Sequence, residues 1–139
     1  MSSAVVTGPS ERVAYMALVL KLAGFDVHVP EPDVGQIPIG VDEVDCYVQL
    51  PDDGSPVRTL AARFDAAAQV APKLASRATV VLVGDPPGVN PAPDMRLVRL
   101  LVEAIIADHG RDDIRIAVVD GARPNDEIVA VAETLSRSI

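Results

Sequence analysis

Aromatic residues, positive charge and cysteine are all scarce in this chain. There are two tyrosines, two phenylalanines and no tryptophan, while hydrophobic residues make up 49% of the 139 positions. A core of that size without rings must be built from Ala, Val, Leu and Ile, the composition of helices packed on a parallel sheet. Cys46 is the single cysteine, which excludes an internal disulfide. It sits in an apolar, strand-like run and reads as a buried, inert thiol. Lys and Arg number 12 against 20 Asp and Glu, a net charge of −8. Such an excess repels phosphate backbones and anionic lipid, so nucleic acid and membrane are excluded as expected partners. The opening Met-Ser-Ser-Ala carries no basic run, and no apolar stretch is long enough to cross a bilayer. A cytoplasmic protein is therefore expected. The length fits one domain, residues 1–139, which buries roughly 68% of its unfolded surface and needs no metal or disulfide to fold.

What is present alternates. Ala4-Val5-Val6 reads as a strand closing at Thr7-Gly8, followed by a helix with Pro9, Ser10 and Glu11 in its first turn. Val13, Met16, Ala17, Leu20 and Leu22 form an apolar stripe near period 3.6, ended by Gly24 as a left-handed cap. Phe25 to Val29 reads as the second strand, residues 31–42 as a Pro- and Gly-rich loop, and Val44 to Leu50 as the third strand. Ser55-Pro56 starts a second helix whose buried face is expected at Val57, Leu60, Ala61, Phe64, Ala67, Ala68 and Ala71, with Pro72 kinking or ending it. Ala78 to Val83 is a continuous apolar run of the buried parallel type. A helix from Met95 to about His109, a strand from Ile114 to Val119 and a helix over roughly 125–136 complete the chain. This alternation implies a three-layer α/β/α sandwich around a mostly parallel five-stranded sheet.

Taken in order, several segments resemble the short-chain dehydrogenases. They are Ala4 to Gly8, Leu22 to Val29, Val44 to Val48, Phe64 to Val83, Leu97 to Val119 and Asp126 to Ala130. The resemblance implies a minimal Rossmann- or flavodoxin-like fold with strand order 2-1-3-4-5, lacking the family's edge strand–helix unit and its C-terminal insert. The family's cofactor turn, Thr-Gly-x-x-x-Gly-x-Gly, meets Arg12 and Ala14 at its second and third glycines. Side chains there fill the space a pyrophosphate needs, so no NAD(P) and no other cofactor is expected. Gln49-Leu50-Pro51-Asp52 replaces the Asn-Asn-Ala-Gly motif. Asp85 stands at the catalytic serine, and Pro91 and Met95 at the tyrosine and lysine. Proline and methionine cannot donate a proton or lower a phenol's pKa, so no catalytic residue and no redox activity is expected. The only lysines, Lys21 and Lys73, do not follow Tyr15 or Tyr47 by four. A receiver domain would place its acid pair where Thr7 and Gly8 stand. Neither His28 nor His109 belongs to a set with metal-ligand spacing, so no metal is expected.

Two functional readings remain. The helix starting at Met95 is apolar nearly all round, which implies burial on more than its sheet-facing side. In the family it resembles, that helix and the preceding one, read here as 58–76, build a subunit contact. The expected interface is Leu97, Leu101, Val102 and Ile105 with Phe64 and Ala68. The partner would be a second copy or a related dehydrogenase-like subunit. The alternative is a small-ligand or nucleotide-sensing module at the strand ends, with Gly8, Ser10, Arg12, Asp52 and Asp85 as candidates. Arg12 and the acids also read simply as solvated groups.

Overall fold

The parallel sheet expected from the alternation is the organising element of a computed structural model of the chain. The structure describes residues 3–8, 10–22, 24–29, 43–50, 56–84, 95–110 and 113–119, without the side chains of 10–12 and 56–59. In chain order the elements are β1 (Ser3–Thr7), α1 (Ser10–Leu22), β2 (Asp26–His28), β3 (Val44–Gln49), α2 (Pro56–Val70), β4 (Leu74–Val83), α3 (Met95–Asp108) and β5 (Arg115–Val119). Every strand pairing is parallel and the order is β2-β1-β3-β4-β5. The fold is thus a minimal α/β arrangement of the Rossmann or flavodoxin type. The expected helix over 125–136 and the loop over 31–42 lie outside the described residues.

Each face of the sheet carries its own core. Val5, Tyr47, Val80 and Leu82 point to one face, where α2 and α3 cover them with Ala67, Val70, Val98, Val102, Ile105 and Ile106. Ala4, Val6, Cys46, Val48, Leu50, Val81 and Val83 point to the other, against Val13, Met16 and Leu20 of α1. Alternate side chains of β1, β3 and β4 therefore feed opposite layers, which explains why apolar residues occupy successive positions in these strands. Gly24 ends α1 as expected. At φ 99° it lets its own N–H reach the Lys21 carbonyl and the Phe25 N–H reach the Leu20 carbonyl, both at 3.0 Å.

Several expectations need correction. The second strand is shorter than Phe25 to Val29. Leu22, placed in the buried stripe of α1, is 81% exposed. The second helix does not reach Ser76. It stops at Val70, and a single 3₁₀ turn, Ala71–Lys73, built around Pro72 delivers the chain directly into β4 at Leu74. β4 then absorbs extra residues. Val44 pairs Leu74 and Cys46 already pairs Thr79, with Arg77 at φ 61° and its N–H held by the Asp113 carboxylate at 3.0 Å. This bulge carries the long strand past the shorter β3.

The largest correction concerns rotational phase. Ala61 and Phe64 of α2 are exposed, while Arg63 is buried. On α3, Val102 and Ile105 point into the sheet-facing core, so they are not available as interface. Leu97 and Leu100 are the large apolar residues left outside. Ile105→Ala should therefore lower unfolding free energy by roughly 2–5 kcal/mol in urea denaturation. Leu100→Ala should change it by less than about 0.5 kcal/mol in the isolated chain.

Candidate functional site

β1 connects through α1 to β2 on one side, while β3 connects through α2 to β4 on the other. The connections diverge between β1 and β3, and the carboxyl ends of those strands frame the crevice in which α/β ligand sites form. A cleft of about 140 Å³ lies there, lined by Thr7 and Gly8 of the first strand end, Gln49 and Leu50 of the third, and Ala62, Arg63 and Ala66 of α2. Its walls come close together because the β1–β3 ladder continues one step beyond the strands. The Leu50 N–H donates to the Thr7 carbonyl at 2.9 Å. Gly8 follows at φ 144°, and a Cβ built on it would stand 2.7 Å from that of Leu50. Only glycine lets the chain turn away there.

Beneath the cleft is a polar network that sequence reading did not anticipate. Tyr47 and Gln49 are two apart on β3 and so share a face, the one covered by α2. The Tyr47 hydroxyl lies 2.8 Å from Thr7 Oγ1 and accepts from Gln49 Nε2 at 3.0 Å. That same amide donates to the Arg63 carbonyl at 2.9 Å. Arg63 Nη1 donates back to Gln49 Oε1 at 3.3 Å, and Nη2 donates to the Val83 carbonyl at the end of β4. Arg63 is only 3% exposed. One side chain of α2 thus ties together the ends of β3 and β4, and through Gln49 and Tyr47 the end of β1. A visible signal was available: Tyr47 and Gln49 stand at i and i+2 in a largely apolar strand, and an Arg stands amid alanines in the next helix.

The network removes groups from acid–base use. Burial pushes the Tyr47 phenol up from 10.0 to about 12, against the opposing effects of its bonds to Thr7 and Gln49 and the nearby Arg63 charge. Burial, with Asp45 next to it, raises the Cys46 thiol from 9.0 to about 12, matching the inert thiol expected. His109 is bound to the Ile105 carbonyl through Nδ1 at 2.9 Å, at the end of α3. His28 faces Asp26 at 3.3 Å on edge strand β2. Among the described residues no group of three His, Cys, Asp or Glu could hold a metal, and no helix is long and apolar enough to cross a membrane.

The sequence-derived candidates divide. Gly8 lines the cleft, and Ser10 opens α1. Arg12 lies in the first turn of α1, its side chain outside the described residues, as are Asp52 and Asp85 entirely. Met95 is half-buried against the α2/α3 core. No protein-family model matches the chain, and no curated protein matches it.

Both raised pKa values make stability pH-dependent on the alkaline side. Unfolded Cys and Tyr release protons near 9.0 and 10.0, whereas the folded groups hold theirs to about 12. The folded state thus binds more protons, and stability present below pH 9 should fall as pH rises toward 12. Tyr47→Phe should make that fall shallower in urea titrations. At pH 7 it should cost about 1–2 kcal/mol, because Thr7 and Gln49 lose a partner.

Proposed function

We propose that this protein is a non-catalytic, short-chain-dehydrogenase-like domain that acts by associating with a subunit of its own kind through the outer face of α2 and α3. The observation carrying this reading is the set of large apolar side chains left in water on those adjacent helices. Phe64 and Leu97 are each 47% exposed and Leu100 is 63% exposed, and Ala68 and Leu101 are half-buried. Single exposed leucines are ordinary, but several large apolar side chains left in water on two helices that pack together support a contact surface. The absence of catalysis is supported by the replaced Tyr, Lys and Ser positions, and by a cleft floor whose phenol stays protonated below pH 10. By light scattering the chain should exceed its 14.6 kDa monomer mass. The Leu97→Asp/Leu100→Asp variant should return to it with unchanged circular dichroism. A wild type that stays at 14.6 kDa across the concentration range overturns self-association. Neither form should oxidise NADH or NADPH above the blank.

A second reading is favoured by the cleft at the β1/β3 switch point. Its 140 Å³ would admit a small molecule or one end of a larger one. Thermal-shift screening with nucleotides and acyl-CoA compounds tests it. A true ligand at 100 times Kd stabilises by about 2.7 kcal/mol, and Ala66→Leu, which fills the cleft, should abolish the shift. No shift with any compound removes this reading.

A further inference from the structure

Among Thr7, Tyr47 and Gln49 beneath the cleft, every side-chain hydrogen of a hydroxyl or amide is spent but one. Gln49 donates one amide hydrogen to the Tyr47 hydroxyl and the other to the Arg63 carbonyl. The Tyr47 oxygen therefore already accepts a bond, and its second neighbour is Thr7 Oγ1 at 2.8 Å. Were Thr7 the donor of that bond, the phenol's own hydrogen would be buried, at 1% exposure, with no acceptor among the described residues. Stranding a buried donor is costly, so Tyr47 donates and Thr7 accepts. The Thr7 hydrogen is then the one left over. No described acceptor takes it, and Thr7 stands half-buried in the cleft wall. Each group in this chain orients the next, so the wall carries one donor of set direction.

The other demands of the cleft are size and hydrocarbon. Leu50, Ala62 and Ala66 give it apolar surface. Its volume of about 140 Å³ is close to that of a cavity that accepts a benzene ring, roughly 150 Å³. Such a space holds about six or seven non-hydrogen atoms, too few for a nucleoside. A ligand that meets both features has a short aliphatic body ending in one acceptor oxygen.

We propose that the cleft binds a short acyl group, its carbonyl oxygen accepting from the Thr7 hydroxyl and its alkyl chain lying on Leu50, Ala62 and Ala66. This rests on the cleft reading above and names its ligand class. A free carboxylic acid and the acyl end of an ester or amide share that chemistry. Titrating the full chain with pentan-2-one, followed by amide NMR shifts, should show a saturable site at Thr7, Gly8, Leu50 and Ala66. Benzene, of similar size but without an acceptor oxygen, should bind about tenfold more weakly, the effect of one lost hydrogen bond. Thr7→Val should weaken pentan-2-one about tenfold and leave benzene within about twofold, whereas Thr7→Ser should retain the difference between them. Pentanoate and pentanamide distinguish the sources. Binding of either at these amides supports the proposal, and the tighter one shows whether the acid or the neutral acyl group is preferred. Benzene binding as tightly as pentan-2-one overturns it, a comparison that holds even where Thr7→Val does not fold. Nucleotides that shift these amides when no acyl probe does overturn the acyl assignment and leave the cleft reading standing. Silence from every probe overturns both.

Discussion

The guanidinium of Arg63 is the contact on which the described arrangement turns. A buried cation is tolerated only where its donors are met. Here Nη2 meets the end of β4 through the Val83 carbonyl and Nη1 meets the end of β3 through Gln49, while Nε makes no hydrogen bond. These bonds set the rotation of α2 about its axis. With Arg63 turned inward, Ala67 and Val70 fall on the core, Ala62 and Ala66 border the cleft, and Phe64 is left outside. The inner polar network and the outer apolar patch are therefore two consequences of one choice of phase.

The same choice shapes the switch-point crevice. Small residues on α2 and the close approach of Gly8 to Leu50 leave a narrow space, and its floor is made of groups bonded to one another. Gln49 alone contacts the Tyr47 hydroxyl and both ends of the Arg63 residue. Such a network is stiff, because losing any member strands a buried donor or acceptor. It braces three strand ends against α2, while burial keeps the Tyr47 phenol protonated through the physiological range.

Much of the architecture was legible in the residues. The apolar run at Ala78–Val83 marked a strand covered on both faces, Val44–Leu50 was read as the third strand, and Gly24 marked a helix end, at φ 99°. The site was less legible. Gly8 was visible as a turn glycine, yet Thr7, Tyr47, Gln49 and Arg63 were not read together, because their bonds join positions up to 40 residues apart. The residues expected at an interface divide in their exposure for a related reason. Leu97 and Phe64 lie outside, but Val102 and Ile105 are consumed by the core. A helix apolar on nearly every side does not announce which side meets the sheet.

What the sequence determined by itself was the period of each segment, and with it the number of layers and the parallel sheet. Hydrophobic burial acts on every residue of a run, so its pattern survives without knowledge of neighbours. What only the tertiary structure decided was the phase of α2. Local hydrophobicity places Phe64 inward and Arg63 outward. The folded chain reverses them, because the strand ends offer the guanidinium carbonyl and amide oxygens that no local pattern could reveal.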